Sequence, residues 1–149
     1  MFPAQQTNGQ GTSNGHERRF ISGFQEIRDS LTAWFISKQD GVRYKVDYTE
    51  ELSRRFETVF PGRNLSRAGY VGQSPTPADY RFYLTDESGR EYELTEMSGG
   101  EQAVFPILFR CVKEQIANSV VLIDEVDLNL HPPAAQGFVS VLGRVAPKS

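Results

Sequence analysis

Hydrophobic residues return every three or four positions between His16 and about Gln39: Phe20, Phe24, Ile27, Leu31 and Trp34, with Ile21 and Phe35 beside them. That spacing gathers them on one face of an amphipathic helix. Asp40-Gly41 ends it, because glycine accepts the left-handed conformation at a helix C-terminus. A second helix is predicted from Tyr48 to Phe60, with Leu52, Phe56, Val59 and Phe60 on one side and Pro61-Gly62 as the stop. Both faces read as packing surfaces.

Residues 61–78 hold three prolines and three glycines, which predicts a loop with at most a short strand near Tyr70-Val71. Tyr80, Phe82 and Leu84 then alternate with Arg81, Tyr83 and Thr85, the period of a strand. Asp86 to Gly89 is turn chemistry, and Glu91 to Leu94 is placed to return as the hairpin partner.

The segment from Leu94 to Pro133 carries the candidate chemistry. Ser98 stands three residues before Glu101, the spacing of a capping box, worth about 0.5–2 kcal/mol as a helix start. Capping explains Ser98 and Glu101 but not Gly99 and Gly100 between them. Two glycines let a phosphate approach the backbone, and the free amides of a helix N-terminus bind anions. The helix that follows carries Val104, Leu108, Cys111 and Val112, with Pro106 inside its span, which would kink it or divide it into separate pieces.

Val120, Val121, Leu122 and Ile123 then read as a strand buried on both faces, the central type of a parallel sheet. Asp124 and Glu125 follow at its C-terminal end, where open α/β sheets place their ligands. Asp124 suits Mg²⁺ held through its water shell, and Glu125 suits the polarisation of a water attacking a γ-phosphate. A solvated turn is the plain alternative for the two acids.

Composition sets the surroundings. The chain has 149 residues, a formal net charge of -3 and 38% hydrophobic residues, so no global basic field draws it to nucleic acid or anionic lipid. One cysteine, Cys111, excludes an internal disulfide and fits a reducing, cytoplasmic setting. No apolar run approaches the length of a membrane span, and residues 1–15 read as a disordered polar leader and not a signal peptide.

Taken together, Met97-Ser98-Gly99-Gly100-Glu101-Gln102 resembles the signature loop of ABC-type ATPases. About twenty residues on, Val120 to Glu125 resembles their Walker B strand with its catalytic glutamate. The continuation from Asp124 to Pro132, with Leu130-His131-Pro132 at its end, is similar to the overcoming-lysogenisation-defect family and the soluble RecF and SMC-like group. The resemblance covers roughly residues 79 to 145. It implies a partial P-loop NTPase of the α/β class: a parallel sheet flanked by helices, with an antiparallel hairpin before the signature loop. It also implies ATP and Mg²⁺ as cofactors. Glu125 would be catalytic and Asp124 would hold the metal through water. Ser98, Gly99, Gly100 and Glu101 would meet the γ-phosphate of ATP bound to the opposite protomer. Asp127 and His131 would belong to the loop crossing the dimer interface, although His131 also reads as an ordinary turn residue before Pro132-Pro133.

The departures are equally specific. No G-x-x-x-x-G-K-[ST] sequence occurs, so the phosphate-cradling Walker A loop is absent from these residues. Gln73 reads as a loop residue, and the switch histidine of such ATPases would lie beyond Ser149. The expected organisation is a leader at 1–15, a helical region with a loop at 16–78 and a truncated C-terminal ATPase lobe at 79–149. Such a half would be inactive alone, needing a separate N-lobe polypeptide or head-to-head homodimerisation. Nucleic acid enters as a partner only through the family. Two other classes remain: a non-catalytic interaction module derived from such an ATPase, and a two-metal nuclease cluster built on Asp124, Glu125 and Asp127.

Overall fold

The structure is a computed structural model that describes residues 13–43, 46–70, 80–116 and 130–143, with side chains from residue 24 onward. The first helix, α1 (Ser13–Gln39), begins at Ser13 and not His16. Its inward face is Phe24, Ile27 and Leu31, all buried, with Trp34 and Phe35 packed at the core's margin. Gly41 ends it at φ +76°, and the Val42 amide donates to the Ser37 carbonyl at 2.9 Å, closing the last turn.

Helix α2 (Tyr48–Val59) buries Leu52, Phe56 and Val59. Its N-cap is Asp47, whose Oδ1 accepts from the Glu50 amide at 3.1 Å and from the Thr49 hydroxyl at 2.6 Å, while Lys38 pairs with Oδ2. Burial alone would raise the Asp47 pKa, but the bonds from Lys38, Thr49 and the Glu50 amide outweigh it and bring the carboxyl down to about 2. A depressed folded-state pKa stabilises above the ordinary value of 3.8, and that contribution is lost as pH falls toward about 2. Asp47→Ala is therefore expected to cost about 1 kcal/mol at neutral pH. In melts from pH 5 to pH 2, the gap to the wild-type chain should close below pH 4; a gap independent of pH would remove the carboxylate from the account.

Strand β1 (Asn64–Tyr70) lies within the segment expected to be a loop. Its residues show no clean alternation, and it forms because β2 (Tyr80–Thr85) supplies a template: Leu65 pairs with Leu84 and Ala68 with Phe82. A register irregularity between Leu65 and Arg67 further blurs the period. Strand β3 (Glu91–Glu93) returns antiparallel to β2, with Leu84 opposite Tyr92. The turn between them is tied by Asp86, whose Oδ1 accepts from the Ser88 amide at 2.9 Å and the Arg90 amide at 3.1 Å.

The fold among the described residues is thus α/β, with a three-stranded antiparallel sheet in the order β1-β2-β3. The hairpin expected before the signature loop is present. A parallel sheet is not seen among the described residues, and the strand expected to begin it, Val120 to Ile123, lies outside them.

A one-turn 3-10 helix (Leu94–Glu96) leads into α3 (Gly99–Lys113). Pro106 does not divide α3, which runs unbroken through it; nothing in the packing explains why proline stands there. The chain's single cysteine, Cys111, is buried on α3, and that burial raises its thiol pKa. Glu26 of α1 ties the two helices together, pairing with Lys113 at 2.8 Å and Arg110 at 3.1 Å.

The last described helix is α4 (Pro132–Gly143), burying Ala134, Phe138 and Val141. One hydrophobic core runs from Phe24 to Val141 and takes residues from every helix and from β2 and β3, so the 16–78 region and the 79–149 lobe share it. At its centre Phe56 meets Phe105 edge-on, with ring centroids 5.4 Å apart. No helix among the described residues is long and apolar enough to cross a membrane.

Candidate functional site

Ser98 caps α3 as its spacing to Glu101 predicts. Its hydroxyl accepts from the Glu101 amide at 3.4 Å, and the Glu101 carboxylate accepts from the Ser98 amide at 3.0 Å. Ser98 and Gly99 are exposed and Gly100 is half-buried. Gly99 and Gly100 occupy the first turn of α3, where backbone amides have no partner within the helix.

Neither glycine has a positive φ. A Cβ built on Gly99 would meet nothing within 4 Å. Glycine at a helical position costs about 0.5–1 kcal/mol relative to alanine. No backbone strain and no neighbour among the described residues demands glycine at 99.

Glu101 behaves differently from the residues before it. It is only 1% exposed, and its carboxylate turns inward. One oxygen takes the Ser98 amide; the other faces the Tyr92 hydroxyl, which donates at 3.4 Å, and the Arg63 guanidinium, which forms an ion pair with it. Burial raises the Tyr92 pKa, so the phenol keeps its proton and remains a donor. A buried carboxylate needs such partners, because its desolvation is costly when unpaired.

Arg63 was not visible as a candidate in the sequence. It follows Pro61-Gly62 at the end of α2, and an arginine after a turn carries no periodic signal. Gly62 holds φ +78°, and a Cβ there would come within 2.6 Å of Glu87 Cγ, so the turn packs closely on the β2–β3 hairpin. The turn thereby fixes where the Arg63 side chain starts.

Arg63, Glu87, Ser98 and Gly100 line an open cleft of about 380 Å³. Phe60, Pro61, Leu130, His131 and Pro133 line it as well. The structure therefore places Ser98, Gly100 and His131 on one cleft. His131 is exposed at the entry to α4. Asp124, Glu125 and Asp127 lie outside the described residues. Among the described residues, no group of three or more His, Cys, Asp or Glu side chains is placed to hold a metal ion.

The first-turn amides of Gly99 and Gly100 have no partner within the helix, and space is open at Gly99 among the described residues. The Glu101 carboxylate in the first turn is paired with Arg63, while Glu87 lines the cleft.

Comparison with known proteins gives one match. The family model described as "AAA domain, putative AbiEii toxin, Type IV TA system" matches residues 12–149. No curated protein and no solved structure matches the chain.

Proposed function

Because the chain belongs to this AAA-domain family over residues 12–149, we propose that it is the signature-bearing half of an ATP-hydrolysing head of the RecF and SMC-like type. An ATPase-like, nucleotide-binding domain follows from the membership itself. The finer reading rests on one observation: Gly99, beside the exposed Ser98, is a helical glycine that nothing among the described residues requires.

In this reading the Ser98 hydroxyl and the Gly99 and Gly100 amides receive the γ-phosphate of ATP held by a facing protomer. Mg-ATP supplies the transferable phosphoryl group and the diphosphate that leaves. Glu125 would orient and polarise the attacking water, Asp124 would hold Mg²⁺, and Asp127 and His131 would face the partner protomer. Glu101 holds the loop from behind instead of touching phosphate, since its carboxylate is turned inside. The sequence has no G-x-x-x-x-G-K-[ST], so the cradle for the β- and γ-phosphates comes from another segment or polypeptide.

Gly99→Ala separates folding from function. The added methyl meets open space, so melting of the variant should match or exceed that of the wild-type chain. Mg-ATP hydrolysis by the head assembled with its phosphate-loop lobe should fall by about a hundredfold, the scale of losing one pre-organised phosphate contact. Equal turnover by the two proteins would sink the assignment of the loop.

The missing phosphate-loop sequence favours a second reading, an interaction module that binds no nucleotide. A ligand that binds only the folded state must raise its stability. Failure of Mg-ATP to raise the melting temperature of the assembled head would select this second reading.

A further inference from the structure

We propose that Arg63 is a positioning residue for the signature loop: by neutralising the buried Glu101 carboxylate it holds Ser98 and the Gly99 and Gly100 amides set to receive phosphate. The proposal rests on the reading of the loop given above, and it assigns the control of that loop to a residue of the α2–β1 turn.

Glu101 is 1% exposed, and its carboxylate has only three partners among the described residues: the Ser98 amide, the Tyr92 hydroxyl and Arg63. Two are neutral donors; Arg63 alone brings positive charge. Without it, a carboxylate shut away from water would protonate or pull the first turn of α3 outward to be solvated. The outward movement disturbs the bond from the Ser98 amide that fixes the loop, whereas a protonated carboxyl can still accept it. A bare carboxylate in the first turn would also repel the phosphate that the amides are meant to attract.

The anchoring of Arg63 is itself stiff. Its amide donates to the Phe60 carbonyl at 3.1 Å, and the preceding Gly62 is packed on Glu87 of the hairpin turn. Other ionisable side chains lie nearby among the described residues: Tyr92 of β3, on which Asp86 and Arg90 of the hairpin act electrostatically, and, on the cleft, Glu87 of the β2–β3 turn and His131 at the entry to α4. The last two line the cleft but make no bond to Glu101.

The decisive comparison is Arg63→Ala against the double variant Arg63→Ala/Glu101→Gln, with Arg63→Lys as the conservative control. Glutamine keeps the acceptor for the Ser98 amide without the charge, and it is a natural partner in a capping box. In the assembled head, Arg63→Ala should lose about tenfold or more in kcat at pH 8, with a smaller change in KM. The loss should shrink toward pH 6, as the unpaired carboxyl takes up a proton. The double variant should recover to within about threefold of wild type at both pH values, and Arg63→Lys should fall between.

In the 149-residue chain, the NMR positions of the Ser98, Gly99 and Gly100 amides should move in Arg63→Ala and return in the double variant. Should Arg63→Ala fail to fold while the double variant folds, the neutralising role stands. Normal turnover and unmoved amides in Arg63→Ala would overturn the proposal. So would equal damage in the single and double variants, which would mean that Arg63 acts by touching phosphate or by shape alone. A wild-type head without turnover would dismiss the ATPase reading, and the amide positions would still decide the role of Arg63.

Discussion

Phe105→Ala is expected to destabilise the chain by about 3–5 kcal/mol, a large part of the roughly 5–15 kcal/mol that holds a typical domain together. Phe105 is fully buried on α3 and meets the Phe56 ring of α2 edge-on at 5.4 Å. Phe56 in turn lies 5.0 Å from Phe60, the residue that closes α2 and walls the cleft. Truncation removes the aromatic contact and leaves a cavity among side chains pinned by neighbouring helices, so the site can collapse only partly. In urea the midpoint should fall while the m-value stays constant, because the surface exposed on unfolding hardly changes. A loss below about 1 kcal/mol would mean that the α2–α3 seam is not the centre of the core.

Gly137→Ala should produce the second large effect, with a sign opposite to helix propensity. Alanine favours a helix over glycine by about 1 kcal/mol. At 137, however, a Cβ would stand 2.6 Å from the Thr58 carbonyl oxygen and 2.9 Å from Val59 Cα. Both are backbone atoms, so neither can swing aside; α4 must move away from α2. We expect a net destabilisation of about 1–3 kcal/mol, the range for overpacking. Gly143→Ala at the end of the same helix is the control, since a methyl there meets nothing within 4 Å and should be neutral or mildly stabilising. If both substitutions behave alike in thermal melts, the close α2–α4 approach is wrong. Because Pro133 and His131 ride with α4, the same displacement should widen the cleft beside Ser98 and Gly100.

Much of the helical framework could be read from spacing alone. The α1 and α2 faces, the β2 alternation, the hairpin turn and the Ser98–Glu101 cap are local signals, carried by residues within a few positions of one another. Strand β1 was not readable, because Asn64 to Tyr70 becomes a strand through its pairing with β2 and not through its own pattern. Arg63 escaped for a related reason: its importance lies in a buried partner 38 positions later (101 − 63), and charge after a turn ordinarily means a solvated surface. For His131 the resemblance placed it near the dimer face, and the structure sets it on the cleft that Ser98 and Gly100 also line. The acids Asp124, Glu125 and Asp127 stand on sequence alone, being outside the described residues.

The burial of Cys111 gives the chain an internal clock. It is the sole thiol in 149 residues and is 2% exposed on the helix that Ser98 caps. A thiol reagent reaches it only when α3 parts from its neighbours, and its raised pKa keeps it mostly in the unreactive thiol form until then. The rate of modification in native buffer therefore counts openings of α3, without label, mutation or denaturant. Comparing that rate with and without Mg-ATP would tell whether occupancy of the loop stiffens the whole helix behind it.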